Sequence, residues 1–406
     1  MGRKRSRRHM ADTAALSARR GSTFAIDKLG VLIALLVAAA WMFLPFATFK
    51  ANRIVQGQSR IVFDALPLWQ ALLLSTVIAV SLPVSFYRTP TMVRLGMSAI
   101  GLGALFILIG QAAPYLTPPG NTLARVSPGA GFWGLVFAFL LLAADALTRL
   151  KLKPIPRIGL LAAVAILLGA LLLSGDWNGL SILKEYFVRA GAFWREGLTH
   201  IVLAFGSLVA ATVAGVPLGI LCHRVPRLRT GILNVLNSVQ TIPSIALFGL
   251  LIAPLAWIAA NVPGAAAIGV SGIGFTPALV ALFLYSLLPV VANTVVGLQG
   301  VPPDANDAAR GMGMTDRQRL FQIELPLAFP VILTGIRIVL VQNIGLATVA
   351  ALIGGGGFGV FVFQGIGQTA LDLVLLGAVP TVLLAFAAAI VLDALVELTS
   401  VRGREG

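Results

Sequence analysis

Ten stretches of this chain are apolar over about the length needed to cross a lipid bilayer: residues 29–46, 68–86, 95–113, 132–147, 158–173, 198–221, 232–256, 277–298, 328–353 and 373–395. A helix rises about 1.5 Å per residue, so roughly 20 apolar residues span the ~30 Å hydrocarbon layer. No water is available there to pair with backbone N–H and C=O groups, so each segment must bond internally as a helix. The expectation is an all-α polytopic membrane protein with about ten transmembrane helices. Segments 132–147 and 158–173 are short for a straight crossing, and tilt or interfacial anchoring is expected to help them. Composition removes other classes. Charged residues are 11 % of the 406 and hydrophobic residues 58 %, whereas a soluble domain carries about 25 % charged residues. A soluble enzyme, a nucleic-acid-binding domain and a disordered protein are excluded as descriptions of the whole chain.

The net charge of +15 follows from loop placement rather than from nucleic acid. If residue 1 is inside, the inner segments hold 22 of the 30 lysines and arginines and the outer ones 7. Positive residues concentrate in cytoplasmic loops, so both termini are expected in the cytoplasm. The basic tail at residues 2–9 fits the same rule. Segment 29–46 is longer than a signal-peptide core and lacks a small-x-small site after it, so it is expected to remain as an anchor. The single Cys222 excludes an internal disulfide, and His9, His200 and His223 are too far apart in sequence for metal-ligand spacing. No cofactor is expected.

The chain changes character near residue 175. Residues 1–28 form a basic cytoplasmic segment and 29–174 a region of five plain spans. Residues 175–197 form a connector in which Leu183, Tyr186, Phe187, Ala190, Phe193 and Trp194 recur at helical spacing, opposite Lys184, Glu185, Arg189, Arg195 and Glu196. That pattern reads as an amphipathic helix at the outer interface or as a plain surface helix between spans. Residues 198–400 hold five further spans with internal prolines and one long polar loop. No strong internal repeat is visible, which argues against an inverted-repeat carrier.

That loop, 301–326, reads VPPDANDAARGMGMTDRQRLFQIELP. Pro302 and Pro303 close the preceding span, Asp304 is placed to cap a short helix, and Asp307 sits in its first turn. Ala308, Ala309, Gly311 and Gly313 leave a bare surface to which another protein can approach closely. A second short helix is expected, capped by Thr315 or Asp316 and ended by Pro326. The residues describe a two-helix cytoplasmic platform, either a docking surface or a structured linker. Asp307-Ala308-Ala309, then Gly313, then Ile323-x-Leu325-Pro326 matches the "EAA" loop of binding-protein-dependent ABC importer permeases of the MetI-like type, with Asp307 where that family usually has Glu. The resemblance implies that Asp307, Ala308, Ala309, Gly311, Gly313, Ile323, Leu325 and Pro326 couple the chain to a cytoplasmic ATPase subunit. It also implies that residues 198–400 form the five-helix core of a type I importer.

Residues 237–252 resemble a core span of the glycine betaine, choline and carnitine branch, and Gly354, Gly355, Gly356 and Gly357 its glycine run. The whole length resembles YehY-type osmoprotectant permeases. On physics alone, Gln240, Thr241, Pro243 and Ser244 put polar groups and a helix break inside a span, which should face a water-filled path or bond to another helix. The glycine run is a hinge or outer gate, or a close-packed turn. It is not a phosphate loop, since no Lys-Ser/Thr follows, and no GxxxxGK[ST] occurs anywhere in the chain.

Energy must therefore come from another chain. Arg337 is expected to snorkel or to pair with Asp393, and His200 to be an interfacial residue rather than a catalyst. Trp257 and Tyr285 appear isolated, with no aromatic cluster for a quaternary ammonium group. The resemblance implies a non-enzymatic permease subunit for osmoprotectants such as glycine betaine in a bacterial inner membrane. Its partners would be cytoplasmic ABC ATPase subunits, a periplasmic substrate-binding protein, a second permease copy or paralogue, and membrane lipid, without nucleic acid. A secondary carrier or channel for a small zwitterionic solute is the alternative.

Overall fold

The computed structural model describes residues 26–53 and 55–402. The basic tail at 2–9, and most of the segment 1–28, lie outside them. Nine helices among the described residues are long and apolar enough to cross a membrane. The tenth apolar helix, α1 (Lys28–Phe43), has 16 residues, about 24 Å of rise. It stops before Pro45, whose ring leaves the backbone extended at Leu44. Helices α5 (Ala130–Leu150) and α6 (Pro154–Ser174) are 21 residues each. The two segments expected to be short thus gain their length from flanking residues that hydropathy alone trims away.

Contacts divide the described residues into two compact units, one within 26–152 and 166–184 and the other within 153–165 and 185–402. In the first, which also holds the one-turn helix α2 (Val62–Ala65), α1 packs with α3 (Leu68–Phe86), α4 (Thr91–Leu116) and α5 around Ile33, Val37, Leu74, Ile78, Leu105, Ile109, Phe132 and Phe139. The expectation of an all-helical chain needs one amendment. Three short strands, β1 (Ala47–Lys50), β2 (Gln58–Arg60) and β3 (Arg125–Pro128), form an antiparallel sheet in the order β2-β1-β3, with Ala47 opposite both Arg60 and Pro128. Strands of three or four residues are too short to carry a readable alternation.

Charges close the opposite end of this unit. Asp27 caps α1 by accepting from the Leu29 and Gly30 amides at 3.2 and 3.3 Å. The fully buried Arg94 reaches Asp27 at 2.9 Å and Asp145 at 2.6 Å, and also donates to the Tyr87 carbonyl at 2.8 Å. Arg149 bridges the same two carboxylates at 2.7 and 2.9 Å. Two acids and two guanidiniums balance, so the buried charges are paired. Burial pushes the Asp27 carboxyl up, but the Gly30 amide and the Arg149 and Arg94 guanidiniums outweigh it and hold the group below its ordinary value.

The second unit is built on α7 (Ser181–Arg224), of which Ser181–Lys184 fall in the first unit. The expected connector helix and the sixth span are one 44-residue helix with a kink at Arg189. The amphipathic pattern is only partly kept: Trp194 and Phe187 are exposed, while Glu185 is buried and paired with Arg189. Pairing with a charge of its own helix lets an acid turn inward. The span expected at 232–256 is two helices, α8 (Pro226–Thr241) and α9 (Ser244–Asn261), broken at Ile242-Pro243. Then come α10 (Phe275–Gln299), the polar loop, α13 (Leu325–Val349) and, after two further short elements, α15 (Leu371–Arg402). A fully buried triad ties three of them: Asn343 Nδ2 on α13 donates to Ser207 Oγ of α7 and Ser286 Oγ of α10, both at 2.8 Å.

Candidate functional site: a two-helix platform and a broken-helix core

The loop 301–326 folds as two short helices, α11 (Pro303–Gly311) and α12 (Asp316–Arg319), and a π turn (Leu320–Glu324) that runs into α13. Asp304 does not cap α11. Pro302 occupies the cap position without a side-chain bond, and Asp304 lies in the first turn, where its charge meets the positive end of the helix. Gly313 ends the helix at φ +80°, with Gly313 N–H donating to the Arg310 carbonyl at 2.9 Å and Met314 N–H to the Ala309 carbonyl at 3.1 Å. This is a Schellman closure, in which a left-handed residue without Cβ satisfies the last free carbonyls. Thr315 then caps α12 in a reciprocal box with Gln318. Pro326 does not end α12; it sits in the first turn of α13, where a missing N–H is harmless.

The small residues divide between two tasks. Asp307, Ala308, Gly311 and Gly313 are exposed beside Met312, forming the bare surface expected from their size. Ala309 is fully buried instead, because it lies on the inward side of α11. Ile323 and Leu325 are half-buried and Pro326 is exposed. Glu324, which the sequence pattern did not single out, is 3 % exposed, and its carboxylate meets Arg224 at 2.6 Å and Arg319 at 3.3 Å.

Among the residues expected along a path, Gln240 and Thr241 end α8 and Pro243 opens α9. Gln240 Nε2 donates to the Tyr285 carbonyl at 2.8 Å, and the Tyr285 hydroxyl donates to the Ile242 carbonyl at 2.5 Å. Thr241 Oγ1 turns back to the Ser238 carbonyl at 2.7 Å, and Ser244 is half-buried. Tyr285, isolated in the sequence, is therefore the partner that the helix break needs. Only its position four residues before Pro289 could have signalled this.

The glycine run lies between a 3-10 turn (Ala350–Ile353) and α14 (Gly359–Gly367). Gly354, Gly356 and Gly357 have φ of +77°, +77° and +86°, while Gly355 N–H returns to the Ala350 carbonyl at 2.9 Å. The Gly357 amide donates to Glu196 Oε2 of α7 at 2.9 Å. His200, expected at an interface, is fully buried against Phe358, with ring centroids 5.2 Å apart. Helical spacing puts it one turn past Glu196, on the face covered by the glycine turn. Arg337 pairs with Asp393, and Arg157 joins the same carboxylate at 2.7 Å and Glu397 at 2.8 Å.

Comparison with known proteins accords with this geometry. Residues 27–183 match the family described as ABC transporter permease YehY, N-terminal domain, and residues 215–402 match the binding-protein-dependent transport system inner membrane component. The osmoprotectant import permease protein OsmW of Salmonella typhimurium is 44 % identical over 194 residues, which cover 48 % of this chain and 83 % of that one. The chain belongs to the binding-protein-dependent transport permeases. The carnitine transport permease protein OpuCB of Listeria monocytogenes and the choline transport system permease protein OpuBB of Bacillus subtilis are each 36 % identical, over 46 % of this permease and 78 % of their own lengths. A solved structure of the MetNI methionine ABC transporter, inward facing, aligns over 51 % of this permease and 96 % of its own chain, at 22 % identity and a TM-score of 0.45. The permease is multi-pass and nearly all helical, and the expected kinship with binding-protein-dependent osmoprotectant permeases holds.

Proposed function

We propose that this permease is the membrane subunit of an ATP-driven importer of osmoprotectants, small quaternary-ammonium zwitterions such as glycine betaine. The observation that carries the reading is the loop 301–326: an exposed patch of Asp307, Ala308, Gly311 and Gly313, built on capped helices and continuous with α13, in a chain with no nucleotide-binding loop of its own. Relatives named for osmoprotectant, carnitine and choline transport support the cargo class. A cytoplasmic ATPase would seat on this patch, and a periplasmic binding protein would deliver the solute. A second permease copy or paralogue would complete the path, with lipid around it.

In this reading 29–174 is an additional membrane region, 175–197 a connector and 198–400 the transport core, with both termini in the cytoplasm of a bacterial inner membrane. The threefold excess of Lys and Arg on one set of loops supports that orientation. Ile323, Leu325 and Pro326 join the patch to α13. Ala309 supports the patch from beneath. Gln240, Thr241, Pro243 and Ser244 border the path at the α8–α9 break. Gly354, Gly355, Gly356 and Gly357 form a gate at the opposite end, held shut by Glu196.

Uptake of labelled glycine betaine by the reconstituted complex tests this reading. Gly313→Asp is expected to abolish uptake with normal membrane insertion. Gly313→Asn, which tolerates a left-handed backbone without adding charge, is expected to retain part of it. ATP-independent uptake by the permease alone would overturn the proposal.

A further inference from the structure

Glu324 sits where the platform joins α13, and both of its carboxylate oxygens are engaged. Oε1 accepts from Arg319 Nε of α12 at 3.3 Å, and Oε2 accepts from Arg224 Nη2, the last residue of α7, at 2.6 Å. Arg319 also holds Asp316 at 2.7 Å. The chain of charges runs inward from Asp316, 87 % exposed, through Arg319 and Glu324, 5 % and 3 % exposed, to α7. The π turn sets its direction. The Leu325 N–H bonds to the Leu320 carbonyl five residues back, and one extra residue rotates the side chains that follow by about 100° relative to an α-helix.

We propose that Glu324 is a positioning residue for transport: it carries displacement of the platform sideways into α7, while the covalent chain carries it into α13. This rests on the reading of 301–326 as an ATPase docking loop. A buried carboxylate shared by two guanidiniums is costly to unpair, so platform and α7 move together. The exposed Asp307–Arg310 pair, at 3.9 Å, is open to solvent screening and has no such hold. α7 can carry the displacement onward. An added Cβ at Gly219 would meet Thr294 of α10 at 2.5 Å, so the two helices touch closely, and Ser207 bonds to Asn343. About 42 Å along the helix from Arg224, Glu196 holds the Gly357 amide. One helix thus joins the docking platform to the glycine turn.

The test uses the complete complex in lipid nanodiscs and proteoliposomes, with captured ATPase, basal and binding-protein-stimulated ATP hydrolysis, and uptake measured together. Glu324→Gln is expected to capture ATPase and hydrolyse ATP at the basal rate, while uptake per ATP falls about tenfold, within the usual range for a coupling interaction. Glu324→Asp, which keeps the charge, and the swap Arg224→Glu with Glu324→Arg are expected to restore part of that ratio. The swap also serves if Glu324→Gln fails to fold. Unchanged uptake per ATP in Glu324→Gln, or equal loss of uptake and ATPase capture with no rescue by either variant, overturns the proposal. If the wild-type chain captures no ATPase, the functional reading falls and takes this one with it; if it does and Glu324→Gln behaves as wild type, only this one falls.

Discussion

Tyr285 and Gln240 repair two proline-made gaps at once. Pro289 has no N–H to offer the carbonyl four residues earlier, that of Tyr285, and the Gln240 side chain fills the place at 2.8 Å. Before Pro243 the backbone at Ile242 is extended, and its carbonyl takes the Tyr285 hydroxyl at 2.5 Å. Each defect lies beside the other's remedy, which is how a broken helix persists at membrane depth.

Tyr285→Phe is expected to lower stability by about 1 kcal/mol, the net worth of a hydrogen bond to a half-buried acceptor. Combined with Gln240→Ala it should deviate from additivity by at least about 0.5 kcal/mol, because the two bonds share one locus. Thermal unfolding of the detergent-solubilised single and double variants measures this; strict additivity would refute the linkage.

Asn343 separates polarity from charge. Ser207 and Ser286 each keep a bond to a carbonyl of their own helix, at 2.6 Å. Asn343→Leu therefore leaves no donor orphaned and is expected to change stability by less than about 1.5 kcal/mol. Asn343→Asp puts an unpaired carboxylate at a fully buried position and is expected to prevent recovery of folded permease. Size-exclusion profiles of the two variants decide the matter.

At Gly359 a Cβ would lie 1.8 Å from the Thr348 carbonyl oxygen, whereas at Gly367 it would meet nothing within 4 Å. Gly359→Ala must push α14 away from α13 and is expected to cost at least about 1–3 kcal/mol, as overpacking does. Gly367→Ala should be neutral or slightly stabilising. Melting temperatures of the pair supply the comparison.

Asp27 provides a pH test. Its folded carboxyl titrates below the ordinary value, so its contribution is fully present above about pH 4 and is lost as pH falls through the folded value. The melting temperature of the wild type is expected to be flat through neutral pH and to fall in acid. Asp27→Asn should start lower at neutral pH and show a shallower acid decline. Identical pH profiles would remove Asp27 from the network that secures Arg94.

Apolar runs long enough to cross hydrocarbon, and the two short helices of the loop 301–326 with Thr315 as a candidate cap, were legible in the one-dimensional chain; Pro302 rather than Asp304 at the first cap, the Gly313 closure and Pro326 as an opening residue were not. Both legible features depend on residues within a few positions of one another: transfer of a contiguous segment, and a side chain that caps the helix beginning beside it. The motif Asp307-Ala308-Ala309 to Pro326 was legible for the same reason. Burial of Ala309, of His200 and of the Glu324 carboxylate was not, because nothing local says which side of a helix will be covered. The same holds for Asp27 with Arg94 and Asp145, for Gln240 with Tyr285, and for Glu196 with Gly357, partners 45 to 161 residues apart. In a bilayer every apolar face is equally content with lipid, so hydropathy chooses spans but not neighbours. Neighbours were decided only in the folded bundle, by close glycine contacts and by buried charges and carbonyls that could be satisfied in one arrangement.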